Sequence, residues 1–301
     1  NNDTMGDSGD FPIHNFPTHS ARADRIKAHL QASNLFTTDD FKHMQLDLTD
    51  LRARETLTDL LPVLAESSDP RVQLAQKILS AWDHVASADS AAPCLFYPFQ
   101  DQMWPFRFLR EVLEDDLLKV LPAGAPGLGR FDIRSFMRED NPFHAHRAVM
   151  IDTIHKVMGT VVDRVSKSLG DHPAAWRWGN LHQISFSHTL AKEAPWTGMR
   201  AGPDPIGGSP TTLGMAVHMG PGPGADTDDI PCRVYHRPAY RLVVDLADPD
   251  HASLVIAGGN GGRPDSPFVT NQYKQWLSGN YYSLNLQRDE IPVAETWNIN
   301  P

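Results

Sequence analysis

The chain has 301 residues, 41% of them hydrophobic and 21% charged, which is the composition of a globular protein with a sizeable core. Its formal net charge of -10 and its sequence pI of about 5.7 argue against a nucleic-acid partner, because polyphosphate-binding surfaces are built from clustered Lys and Arg. No run approaches the roughly 20 apolar residues needed to cross a bilayer, so we expect a soluble chain without a membrane partner.

The first residues and the two cysteines bear on processing and redox state. The sequence begins with Asn1-Asn2-Asp3 and not with methionine, so we expect a processed product or a fragment without a targeting signal. Cys94 and Cys232 are too few for a four-ligand zinc cage or a disulfide-rich scaffold. Two buried thiols are the simpler interpretation. One disulfide is the alternative, and it would indicate an oxidising compartment such as a bacterial periplasm.

The first half of the chain has the apolar spacing of helices. From Ser20 to about Ala88 the pattern is helical, with a helix start at Thr38-Asp39, leucines at three- and four-residue spacing up to the break at Asp69-Pro70, and a further helix from Val72 to Trp82. A helix that starts at Pro105 is expected to end at Pro122. The apolar positions between Ile151 and Leu169 predict a long helix with Gly170 as its cap.

Beyond Trp176 the sequence pattern changes to short apolar or alternating runs separated by Gly and Pro. Such runs predict strands. The predicted strands are Gln183 to His188, Thr211 to His218, Tyr240 to Leu246 and Ser253 to Ala257, and a short helix is expected from Thr270 to Leu277. A helical half followed by a β-rich half indicates an α+β fold. We therefore divide the chain into a mainly helical part, 1–175, and a β-rich part, 176–301.

Several polar or glycine-rich features resemble binding sites but favour simpler interpretations. His144, His146 and His155 lack the Cys or carboxylate partners of a metal site, so no metal is expected. No Lys-Ser or Lys-Thr follows the run from Gly258 to Gly262, so a turn with positive φ angles is favoured over phosphate binding, and no cofactor is expected. The acidic loop with Asp226, Asp228 and Asp229 lacks the ligand spacing of an EF-hand, and calcium binding there stays an open alternative. The aromatic run from Phe96 to Phe108 favours core packing over an acyl-binding cleft.

Four stretches, in this order and at these separations, resemble the β-chain of penicillin acylases and acyl-homoserine-lactone acylases, which are N-terminal-nucleophile hydrolases. The resemblance covers most of the chain. The first two stretches are Asn1-Asn2-Asp3 with Ala21-Arg22-Ala23-Asp24-Arg25-Ile26, and Leu79-Ser80-Ala81-Trp82-Asp83 with Ala88-Asp89-Ser90-Ala91-Ala92. The third is Trp178-Gly179-Asn180-Leu181-His182-Gln183, and the fourth runs from Gly207-Gly208 through Pro238 to Leu246 and Gly259 to Pro267, closing with Trp276-Leu277-Ser278-Gly279.

The resemblance implies a fold as well as an activity. The fold is the αββα sandwich of N-terminal-nucleophile hydrolases, of which this chain is the carboxy-terminal portion. One departure concerns the turn after Gly207-Gly208, where the family often has Asp-Gly-Asn or Asp-Gly-Thr and this chain has Ser209-Pro210. That departure leaves the turn with a role in folding only.

The resemblance also implies catalytic residues. In this class an amino-terminal Ser attacks the amide and its own α-amine accepts the proton, a role that Asn1 cannot fill, so the nucleophile is expected on another chain. Asn1 is implied as the side-chain donor to the oxyanion, with Asn2 as the second candidate. Arg25 is implied as a permanent cation that supports them, with Arg22 as its alternative.

The function implied by the resemblance is hydrolysis of the amide between an acyl chain and a polar amine, in acyl-homoserine lactones or penicillin-type β-lactams. The expected partners are the α-chain and the amino-terminal part of the β-chain from the same precursor, in the bacterial periplasm or outside the cell. Two other interpretations stay open: an inactive family member that binds or supports other molecules, and an unrelated secreted α+β binding protein.

Overall fold

The structure is a computed structural model that describes residues 20–102, 104–113, 133–192, 198–219, 232–263 and 265–286. Asn1 and Asn2, the acidic loop with Asp226, Asp228 and Asp229, and the predicted helix beyond Leu113 therefore lie outside the described residues. Helices come first in the described ranges: α1 Ala21–Gln31, α2 Thr38–Gln45, α3 Leu51–Ala65, α4 Pro70–Ser80, α5 Ala92–Gln102, α6 Trp104–Val112, α7 Ile133–Met137, α8 Arg147–Leu169 and α9 Trp178–Leu181.

The strands follow, with one late helix. They are β1 Gln183–Ser187, β2 Arg200–Pro205, β3 Val217–Met219, β4 Arg233–His236, β5 Tyr240–Val244, β6 His251–Ile256 and β7 Tyr282–Asn285, and α10 is Tyr273–Leu277. Short 3-10 turns occupy Pro142–His146, Pro173–Ala175, Thr189–Lys192 and Pro267–Val269. No helix among the described residues is both long enough and apolar enough to traverse a bilayer.

The helix starts and stops follow local sequence chemistry. Thr37 and Asp40 form a reciprocal capping box at the start of α2, and Asp69 caps α4 with Pro70 in its first turn. Helix α8 ends where expected, because Gly170 takes a φ of +91°, a conformation that a side chain disfavours. These sequence predictions are confirmed, with α2 and α3 as separate helices.

Helix α8 forms the centre of the main core. Its Ile154, Met158, Val161 and Val165 are fully buried at helical spacing, and it packs against α3, α4, α5 and α6. The aromatic run from Phe96 to Phe108 lies in α5 and α6, and the Trp104 ring meets the Phe136 ring edge-on at 5.4 Å between centroids. The predicted core packing is confirmed for the aromatic rings of this run that the structure describes, which are at most 2% exposed.

Two separate sheets hold the described strands. The first has the order β2-β1-β4-β3, in which β1 and β4 are parallel and β3 and β4 antiparallel. The second is an antiparallel sheet in the order β5-β6-β7. Strands β1, β5 and β6 confirm three of the four strands predicted from the sequence, whereas β2, β4 and β7 were not predicted.

The predicted strand from Thr211 to His218 is wrong over most of its length. The structure has turns at 210–214 and a strand only over Val217–Met219. The hydroxyl groups of Ser209 and Thr211 donate to a buried carboxylate, so this segment folds around that carboxylate and does not extend into a ladder.

The positive φ angles predicted for the run from Gly258 to Gly262 are wrong, because none of its described glycines has a positive φ. Close packing explains them instead. A Cβ on Gly259 would overlap the carbonyl oxygen of Phe268, and one on Gly258 would lie 2.5 Å from the Phe186 ring.

Contacts divide the chain into two compact units that are not contiguous in sequence. The described residues of the first fall within Asn1–Ala32, Asp47–Ile184 and Pro203–Arg237, and those of the second within Ser33–Leu46, Ser185–Gly202 and Pro238–Pro301. The division of the chain at residue 175 stays a prediction.

The three-stranded sheet of the second unit presents an apolar face to solvent. Register places Leu242 of β5 beside Leu254 of β6, and Leu254 beside Tyr282 of β7. Leu242 is 40% exposed and Leu284 38% exposed, and Tyr240, Val244 and Leu286 are exposed as well.

On the other face of this sheet Arg241 is buried against Trp276. We call the surface formed by Tyr240, Leu242, Val244, Tyr282 and Leu284 the open sheet face.

Candidate active-site region

Helix α1 carries the cation that the sequence analysis assigned to catalysis. Arg25 and His29 lie one helical turn apart, so their side chains leave the same side of α1. Both are partly exposed, with 28% of the Arg25 side chain and 29% of the His29 side chain accessible. The alternative cation, Arg22, points elsewhere in the first unit, where its Nη1 lies 3.2 Å from the Sδ of Met215.

A single carboxylate receives both side chains. Arg25 Nε–H and His29 Nε2–H each donate to Asp47 Oδ2 across 2.5 Å, since a carboxylate can only accept. The other oxygen, Oδ1, accepts from the backbone N–H of Thr49 at 2.8 Å. Burial alone would raise the pKa of Asp47, but the hydrogen bonds from Thr49, His29 and Arg25 outweigh it and lower that pKa below its ordinary value. Asp47 is therefore a carboxylate at neutral pH.

The contact with Asp47 uses only one edge of the Arg25 guanidinium. The bonded atom is Nε, and no described residue accepts a hydrogen bond from Nη1 or Nη2. A guanidinium presents five N–H donors in a rigid plane, so fixing Nε also fixes the direction of the four Nη donors. Within the part of the chain that the structure describes, those donors are left for another electron-rich group.

The backbone around Asp47 is held by a series of hydrogen bonds. The carbonyl of Asp47 accepts from Gly214 N–H at 2.8 Å, and the carbonyl of Leu48 accepts from Ala86 N–H at 2.9 Å. Asp50 N–H in turn donates to the carbonyl of His84 at 2.9 Å. Because both sides of this segment are bonded to distant parts of the unit, Asp47 sits on a fixed support even though it lies between two helices.

Asp50, three residues further on, is a fully buried carboxylate that faces the core. Its Oδ1 accepts from Ala53 N–H and so caps α3, while its Oδ2 accepts from the hydroxyls of Tyr97, Ser209 and Thr211 at 2.8, 2.9 and 2.7 Å. Four donors compensate the loss of water around this charge. The Ser209-Pro210 turn thus has the folding role expected for it.

Two buried histidines lie beside this cluster. The His182 ring stacks on Trp178 at 4.5 Å between centroids, and the His218 ring meets His182 edge-on at 5.1 Å. Burial lowers the pKa of His182 to about 4 and that of His218 to about 3, so both are neutral at pH 7. His182 Nδ1–H donates to the carbonyl of Ile206. The two rings act as core side chains.

The described residues form neither a metal-binding group nor an exposed thiol. No group of three His, Cys, Asp or Glu side chains there is arranged to hold a metal ion, and His155 Nε2–H donates to the carbonyl of Val63. Cys94 and Cys232 are both buried thiols, and burial raises the pKa of Cys94 to about 12. The interpretation as two buried thiols is confirmed, and the alternative disulfide is absent.

Arg25 was named from the sequence and its catalytic role stays a prediction, whereas Asp47 and His29 were not named. The i,i+4 spacing of Arg25 and His29 was a usable signal that the two share one helix face. No sequence signal pointed to Asp47, because it lies in a polar connection 22 positions from Arg25. Asn1 and Asn2 lie outside the described residues, so their oxyanion role stays a prediction.

Comparisons with known proteins agree on one group of enzymes. The family model described as Penicillin amidase matches residues 1–293. An acyl-homoserine lactone acylase QuiP from Pseudomonas aeruginosa is 26% identical over 90% of this chain and 35% of its own length. The protein of the same name from Pseudomonas syringae pv. syringae is 26% identical over 77% of this chain and 28% of its own length. The chain thus spans about a third of the length of these curated relatives.

A solved structure has a similar fold. A thermostable penicillin G acylase from Alcaligenes faecalis superposes with a TM-score of 0.54 at 16% identity, covering 100% of this chain and 56% of that one. The predicted α+β class and N-terminal-nucleophile hydrolase fold are confirmed by this similarity together with the mixed helices and sheets.

Proposed function

This chain belongs to the penicillin amidase family, and we propose that it is the carboxy-terminal part of the β-chain of an amidohydrolase. The reaction is cleavage of the amide between an acyl chain and a polar amine. The observation that carries the proposal is the Arg25 guanidinium, which Asp47 holds at Nε while no residue in the described ranges accepts from its Nη donors. A cation presented in this way can support a reacting amine and an oxyanion.

In the proposed mechanism the chemistry is shared between chains. The hydroxyl of an amino-terminal Ser on another chain attacks the amide carbon, and its own α-amine takes the proton and passes it to the leaving amine. Water then hydrolyses the acyl-enzyme ester and releases the acid. Asn1 contributes a side-chain N–H to the oxyanion formed in each step, and Arg25 favours the neutral form of the α-amine.

The proposed substrates follow from what the similar proteins are named for. The curated relatives are acyl-homoserine lactone acylases and the similar structure is a penicillin G acylase, so we assign acyl-homoserine lactones and penicillin-type β-lactams as the two substrate classes to test. Hydrolysis of the first would quench quorum sensing, and hydrolysis of the second would give antibiotic resistance. The proposed location is the bacterial periplasm or the exterior, and cell fractionation tests it.

The proposed partners are the α-chain and the amino-terminal part of the β-chain. Members of this family are processed into several chains, and this chain spans about a third of its curated relatives. The open sheet face supports the proposal, because its apolar side chains are those that a second sheet would cover in a sandwich of stacked sheets.

The test is amide hydrolysis by the assembled enzyme, in which this chain is produced together with the other chains of its precursor. Release of the amine from acyl-homoserine lactones and from penicillins of several acyl lengths is measured for the unchanged enzyme, Arg25→Ala and Arg22→Ala. We expect Arg25→Ala to lower kcat at least about tenfold and Arg22→Ala, the matched control on α1, to do much less. An unchanged enzyme that hydrolyses none of these amides favours an inactive family member.

A further inference from the structure

Resting on the proposed function, we infer that Asp47 is a positioning residue for the reaction, because it holds Arg25 at Nε and no described residue accepts a hydrogen bond from the two Nη groups. Arg25 is partly exposed and has several rotatable bonds, so without a partner its guanidinium would sample many directions. A bond at Nε is the contact that restricts the side chain without consuming either Nη group.

Asp47 is held more firmly than the carboxylate of an ordinary surface ion pair, which suits a positioning role. Its own side chain is only 10% exposed, its Oδ1 is bonded to Thr49 N–H, and its backbone carbonyl is bonded to Gly214 N–H. His29 donates to the same Oδ2 atom and so fixes the carboxylate from a second direction. Arg25 is thus attached to a largely buried carboxylate, whereas Lys27 and Asp24 form an exposed ion pair 4.0 Å apart, of the kind that contributes little.

The chemistry of the other side chains at position 47 makes the inference testable. Thr49 N–H and Arg25 Nε–H bond to different oxygens of Asp47, so an Asn, with an oxygen on only one side, cannot accept from both in these positions, and its amide N–H would face a donor. An Ala accepts from neither. In both variants Arg25 keeps its charge but loses its fixed direction, so the loss should appear in the chemical step and not in substrate binding.

The experiment is a double-mutant cycle in the assembled enzyme, followed by steady-state kinetics and thermal unfolding. Asp47→Ala and Asp47→Asn are expected to lower kcat about tenfold or more while KM changes by less than about threefold. In an Arg25→Ala background the same changes at Asp47 should lower kcat by less than about twofold further, because there is no longer a guanidinium to position. Asp24→Asn, on the same helix, is the control and should leave the kinetics unchanged.

The possible results separate the inference from the proposed function. If Arg25→Ala lowers kcat and Asp47 variants do not, or if the two effects multiply fully, Asp47 does not position Arg25 and the inference is overturned. If Arg25→Ala itself has normal kinetics, the assignment of Arg25 in the proposed function fails first. Should Asp47→Ala not assemble, Asp47→Asn, which keeps the size of the side chain, decides the question by the same criteria.

Discussion

Ser209 and Asp50 are joined by a buried hydrogen bond of 2.9 Å although they stand 159 positions apart in the sequence. This bond fixes a turn in the β-rich half of the chain to the first residue before α3 in the helical half. Because Asp50 also receives Tyr97 and Thr211, one carboxylate ties together three distant segments of the first unit.

We expect Asp50→Asn to destabilise the assembled enzyme by at least about 2 kcal/mol, because three hydroxyl donors would lose a charged acceptor in a site that water does not reach. Ser209→Ala is the matched comparison, since it removes one of the three hydroxyls and should cost about 1 kcal/mol. Thermal and denaturant unfolding measure both. Equal stabilities for Asp50→Asn and the unchanged enzyme would contradict the role of this cluster.

The buried histidines predict the direction of the pH dependence of stability. The pKa of His182 is about 4 in the folded chain against 6.5 for an ordinary histidine, so the unfolded state binds more protons between these values. The contribution is fully present above pH 6.5 and is lost as the pH falls towards 4, and His218 acts in the same direction. The unfolding midpoint should therefore be lower at about pH 5 than at about pH 7.5.

A variant isolates the contribution of His182. His182→Asn keeps an N–H that can donate to the carbonyl of Ile206 but removes the titrating ring, so the drop in midpoint between the two pH values should shrink. Parallel pH profiles for the variant and the unchanged enzyme would assign the effect to other groups.

The open sheet face predicts where this chain meets its partners. Leu242→Glu places a charge on that face, and burying an uncompensated charge in an interface is costly, so association with the other chains should weaken at least about tenfold. Co-purification and size-exclusion chromatography measure the association. Ser283→Glu, at an exposed position of strand β7 on the opposite face of the sheet, is the control. Equal association for both variants would remove the face from the interface.

The paired asparagines at the start of the chain give a further kinetic prediction. Asn1→Ala should lower kcat of the assembled enzyme about a hundredfold to a thousandfold with little change in KM, because an amide donor that meets the oxygen only as an oxyanion stabilises the transition state. Asn2→Ala should be much milder if the pair lies in an extended strand, because neighbouring side chains of a strand point in opposite directions. A large loss for Asn2→Ala and a normal Asn1→Ala would move the role by one residue.

Local signals explain what the sequence predicted correctly. Helix α8 was predictable because Ile154, Met158 and Val161 repeat at helical spacing and Gly170 ends the run. The strand predicted from Thr211 failed because the Thr211 hydroxyl bonds to Asp50, a partner that no local window contains. Strand β2 was missed because Gly202, Pro203 and Pro205 are typical of turns.

The candidate site was predictable only in part for the same physical reason. Arg25 came from a resemblance, whereas its partner Asp47 depends on how the connection before α3 folds back onto α1. Contacts of this kind are fixed by tertiary structure. Propensity and periodicity carry no information about them.

The two buried thiols have a practical consequence for spectroscopy. Cys94 and Cys232 are at most 1% exposed, so neither should react with maleimide reagents in the folded chain, and the Cys94 thiol, with a pKa of about 12, also holds almost no thiolate at neutral pH. A single cysteine introduced at an exposed position such as Ser283 would then take a fluorophore or spin label without a background from the native residues of this chain. Distances from that label could follow how the chain joins its partners during assembly.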